Sequence, residues 1–157
     1  QSKPTLAMSE GWATFFGVTA FGGSTYMDTN AGGMGVYYSI ETLPASKPLG
    51  NEDDKLDGKL SEAIAAAVLL DLFDSNNESK DTLNNLGVWN VVTTYFKKGN
   101  AKFQDRGVAG ADLVDFLDGW FCLGYGEKGD DDNSGVRGNV KGLHKLSYDF
   151  PDLASCE

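Results

Sequence analysis

Histidine occurs once in the 157 residues, at His144, and cysteine twice, at Cys122 and Cys156. A single histidine leaves no His-x-x-x-His zinc pair within the chain. Any Ser-His-Asp or Cys-His arrangement would have to recruit His144, and neither cysteine lies in a turn that would present a nucleophile. Two cysteines are too few for a disulfide scaffold and lack metal-ligand spacing. Either they pair, closing a loop of thirty-odd residues, or Cys122 is an ordinary buried thiol. Basic residues are also scarce, with 13 Lys+Arg against 23 Asp+Glu and a formal net charge of −10. No Lys/Arg cluster offsets that deficit, so a nucleic-acid partner is excluded on charge. The longest apolar stretch, Ala63 to Leu70, covers eight residues, whereas a membrane-spanning helix needs about 20. No P-loop ending and no dinucleotide fingerprint is present. The N-terminus, Gln1-Ser2-Lys3-Pro4, lacks both a starting Met and the layout of a signal peptide. It is expected to follow processing or excision from something longer.

What the chain does have is a core. Hydrophobic residues make up 41% and aromatics 11%, above what a disordered chain carries. The acidic composition, the 20 glycines and the scarcity of lysine fit a secreted or extracytoplasmic protein. The periodicity is mostly helical. A first helix is expected from Pro4 to about Ala20, with Leu6, Trp12, Phe15, Phe16 and Thr19 on its apolar stripe and Gly22-Gly23 ending it. Residues 24–35 read as a loop, and residues 34–43 as a short strand or extended segment. Leu60 to Phe73 is apolar nearly all round, the pattern of a central buried helix. A third helix is expected over about 82–98, with Leu83, Leu86, Trp89, Val92 and Phe96 on one face. A fourth covers about 110–123, with Leu113, Phe116, Leu117, Trp120 and Phe121 inward and Asp112, Asp115 and Asp118 outward. Val136 to Leu146 offers a short further helix. With no internal repeat and no long linker, residues 1–157 read as a single, mainly α unit.

One segment stands out, Met8-Ser9-Glu10-Gly11-Trp12-Ala13-Thr14-Phe15-Phe16. On a helix Glu10 and Thr14 share a face. A carboxylate among Trp12, Phe15 and Phe16 either sits on the exposed edge of the helix or meets a positive partner. The segment resembles the second zinc-binding helix of the gluzincin metallopeptidases, the thermolysin-like group, whose fungalysin branch carries Met-x-Glu-Gly-Trp-x-x-Phe. Two further stretches resemble that family in the same order. Ser61 to Leu72 is similar to its buried Glu-x-x-Ala-x-x-Leu-Trp-Asp-Leu helix, and Asp115-Phe116 with Trp120 to its Asp-Phe-x-x-x-Trp element.

The resemblance implies the C-terminal helical subdomain of a thermolysin-like catalytic domain. Glu10 would be the third zinc ligand, and the two histidines and the general-base glutamate would come from a His-Glu-x-x-His helix in an upstream N-terminal half. The substrate would be a peptide or protein. At the position where thermolysin and fungalysin carry an Asp that orients a zinc histidine, this chain has Thr14, whose hydroxyl can accept an imidazole N–H. The fungalysin-type histidine before the downstream glutamate falls on Gly58. Exposed apolar surface is expected where the upstream half would dock.

Other groups have competing readings. Tyr26, Tyr37, Tyr38 or Tyr125 could donate to a developing oxyanion, and nothing in the sequence selects one. His144 reads as a surface histidine, or as a transition-state histidine late in the domain. Glu62 and Asp71 read as supporting polar residues, Glu62 with a helix-start role at the positive end of the dipole. Asp130-Asp131-Asp132-Asn133-Ser134-Gly135 begins like an EF-hand, but its twelfth position is Lys141. That leaves an irregular calcium site or a solvated acidic turn. The main alternative function is a non-catalytic acidic helical binding module whose Asp112, Asp115 and Asp118 face meets a basic partner. A third is an unrelated helical domain with Glu10 merely exposed.

Overall fold

The computed structural model describes residues 3–41, 61–74 and 85–126, together with Val136, Val140 and Cys156. Helix α1 (Pro4–Ala20) starts with proline at its first turn, where a missing N–H costs nothing. It ends in a Schellman motif: Gly22, at φ +71°, donates to the Thr19 carbonyl, and Gly23 donates to that of Val18. Strands β1 (Thr25–Asn30) and β2 (Gly33–Ser39) then form an antiparallel hairpin, pairing Met27 with Tyr37 and Tyr26 with Tyr38. Helix α2 (Glu62–Phe73) is capped by the Ser61 hydroxyl, which accepts from Ile64 N–H at 3.3 Å. Helix α3 (Asn85–Asn90) runs into a π-helical turn at Val91–Tyr95, and helix α4 (Leu113–Cys122) closes the described core.

Helix α2 is the centre, with Ile64 to Leu72 buried throughout, as its all-round apolar sequence requires. Its closest neighbour is α1, and Gly11 sets the approach. A Cβ there would lie 2.6 Å from Ala65 Cβ and 2.7 Å from the Glu62 carbonyl oxygen. Gly119 does the same for α4, since a Cβ there would meet the Tyr95 ring at 2.5 Å. Rings from four elements join the layers: Trp12 lies edge-on to Trp89 at 5.4 Å, and Phe96 edge-on to Phe116 at 6.3 Å. Cys122 and Cys156 form a disulfide, their Cα atoms 5.1 Å apart, which settles the cysteine alternatives in favour of pairing.

The mainly α architecture agrees with the expectation, and several details differ. The expected loop over 24–35 contains β1. The buried face of α1 is Pro4, Ala7, Met8, Gly11, Phe15 and Val18, whereas Leu6 and Phe16 are about half exposed. On α3, Leu86 faces solvent, and Val88 instead is buried in the core cluster. Asp112, Asp115 and Asp118 are fully buried, not outward. Of the helix expected at 136–146, only Val136 and Val140 belong to the described residues, and both are in the core.

Candidate functional site

Glu10 stands on the exposed side of α1, one residue before the glycine that seats this helix on α2. That close approach brings Glu10 beside Glu62 in the first turn of α2, near enough for the one carboxyl to perturb the other. The bond with Glu10, then burial, then repulsion between the two carboxylates hold the Glu62 carboxyl above the usual range. Tyr38 of β2 stands behind the pair. Burial, with Glu62 and Tyr26 adding repulsion, pushes its hydroxyl up, and its ring lies 5.2 Å from that of Tyr26. Four elements therefore converge on Glu10, Glu62, Tyr38 and Tyr26. No Lys or Arg among the described residues pairs with either glutamate.

Thr14, half-buried one turn after Glu10, continues the same face. It leads into a groove of about 360 Å³ between α1 and the hairpin, lined with Gly17, Val18, Phe21, Tyr26 and Met27. Phe21 is 93% and Met27 63% exposed, so the rim of this groove is apolar.

The other tyrosines separate from this locus. Tyr37 lies exposed on the hairpin, and Tyr125 packs on Trp120 while its hydroxyl meets the Asn90 amide. Asp71 is buried in α2. His144 and the Asp130–Gly135 segment lie outside the described residues. Among the described residues no three His, Cys, Asp or Glu side chains gather in a way that could hold a metal. Glu10 and Glu62 are both exposed, and their carboxyl oxygens are hard donors.

The other acidic group forms a structural lock. Asp112 caps α4, accepting from Val114 N–H at 2.8 Å and Asp115 N–H at 3.3 Å, and Asp115 reciprocates by accepting from Asp112 N–H at 3.2 Å. Asp115 also accepts from Arg106 N–H at 2.8 Å, while the Arg106 guanidinium grips Asp118 through two bonds of 2.6 Å. These carboxylates are consumed inside the fold, so the acidic face that would have met a basic partner does not exist on α4.

No family model, no curated protein and no solved structure matches the chain.

Proposed function

We propose that this chain forms the C-terminal helical part of a secreted gluzincin-type zinc peptidase, with Glu10 as the carboxylate zinc ligand. The observation that carries the reading is the Glu10–Glu62 pair, two neighbouring carboxyls at an exposed helix crossing without a basic partner among the described residues. Like charges in contact oppose folding unless something bound there compensates, and a divalent cation does so directly.

In this reading Glu10 holds the zinc together with two histidines of the upstream half. Thr14 accepts the N–H of one of those histidines and fixes its ring. Zinc, when bound, supplies a Lewis acid for the scissile carbonyl and lowers the pKa of a bound water. Of the four candidate tyrosines, Tyr38 is the one the site favours as hydroxyl donor, because it adjoins Glu62. The apolar groove beyond Thr14 receives the upstream half, which covers Phe21 and Met27. The Cys122–Cys156 disulfide supports an oxidising, extracytoplasmic location.

The test uses the protein with its natural upstream sequence. Peptide hydrolysis that a chelator abolishes and zinc restores is the expected result. A reading frame without an upstream histidine pair, or hydrolysis indifferent to chelation, overturns it and leaves the binding-module alternative.

A further inference from the structure

Charge is unevenly spread along this chain. Residues 11–40 hold a single charged side chain, Asp28, in a sequence that carries 13 Lys+Arg and 23 Asp+Glu. That stretch builds more than half of α1 and the whole hairpin. The groove of about 360 Å³ between them has Ala13, Gly17, Val18 and Tyr26 in its walls and no charged side chain in its lining. Phe21 stands at the rim, almost wholly in solvent. Met27, also at the rim, sits opposite Tyr37 across the hairpin, and both are well exposed. Gly17 leaves room in the groove, since a Cβ there would meet nothing within 4 Å.

We propose that this face pairs with a second copy of the chain, the Phe21 ring of each copy entering the groove of the other. Two observations select a copy as the partner. An exposed ring beside an open apolar groove is a knob next to a hole, and such a surface is complementary to itself. Self-complementarity is what a two-fold contact requires, because residue i then meets j while j meets i. The second observation is electrostatic. Each copy carries a formal net charge of −10, so two copies repel one another. The stretch from Gly11 to Ile40 is where they approach with least repulsion. Phe21 and Tyr37 bring roughly 300–500 Å² of surface to the contact, against about 800 Å² per partner in a standard interface. Met27 and the groove walls add to that area, and a weak, reversible dimer follows.

The pairing does not rest on the zinc reading. Where the upstream half of that reading is present it takes the same face, so the two contacts exclude each other and pairing belongs to residues 1–157 on their own.

The test is sedimentation velocity on residues 1–157 from ~1 to ~500 μM, the range in which a small interface dissociates. A dimer that forms with concentration, and tightens as salt screens the repulsion, is expected. Phe21→Ser removes the knob and Gly17→Leu fills the hole, both at positions where the fold makes no demand on the side chain. Each should raise the dimer dissociation constant on the order of a hundredfold. Leu86→Ser, at an exposed apolar side chain of α3, should leave it within about twofold. A chain that stays monomeric throughout, or one that assembles beyond the dimer, overturns the pairing. So does a dimer indifferent to either substitution, weakened equally by Leu86→Ser, or dissolved by salt. Chelator-sensitive hydrolysis by the longer protein stands or falls separately.

Discussion

Two acidic clusters occupy this molecule, and they differ in where their hydrogen bonds go. At Asp112, Asp115 and Asp118 the carboxylates are fully buried and turned onto backbone N–H groups and one guanidinium. At Glu10 and Glu62 both residues are exposed and the carboxyls are neighbours. Buried carboxylates are tolerated only when donors surround them, so the first cluster is bound up in holding the fold. Among the described residues nothing comparable occupies the second. Acidic residues that serve no internal donor and repel each other are the ones free to serve something bound from outside.

The contrast is sharpest if Arg106 is removed. Arg106→Ala leaves Asp118 buried without its guanidinium, and a loss of about 3–5 kcal/mol in urea unfolding is expected. A loss under about 1 kcal/mol would show that the cluster is not the lock described. Asp112→Ala should cost less, about 1–2 kcal/mol, through loss of the α4 cap. Circular dichroism and urea titration would register this as a lower midpoint with little change in helix content. At the other cluster, Glu62→Gln keeps a hydrogen-bonding group against Glu10 and removes the repulsion. Stability should stay within about 0.5 kcal/mol of the parent, or rise. A drop as large as that of Asp112→Ala would erase the distinction between the clusters.

Much of the framework is legible in the sequence because it rests on local chemistry. Pro4 and Gly22-Gly23 bracket α1, and the continuous apolar run marks α2 as central. The hairpin is harder to see. Strand β1 is mostly exposed and so carries no apolar alternation, and its turn, Asn30 to Gly33, reads as part of a loop; the Asn30 side chain accepts from Gly32 N–H. On α4, aspartates spaced by three look like a solvent stripe until the Arg106 and Val108 N–H groups and the Arg106 guanidinium meet them. The Asp112-x-x-Asp115 spacing ahead of an apolar run was the available sign, since it is a capping-box pattern. The meeting of Glu10 with Glu62 has no one-dimensional signature. It depends on a tertiary crossing, and Gly11 is its only local trace.

The most direct measurement on Glu10 is zinc content and unfolding free energy, determined side by side for the natural protein and its Glu10→Gln variant. The expected result is stoichiometric zinc in the parent, its loss in the variant, and metal-free stabilities that agree within about 0.5 kcal/mol. Zinc retained by Glu10→Gln, or a metal-free parent destabilised by the substitution alone, would contradict the assignment of Glu10 as a ligand.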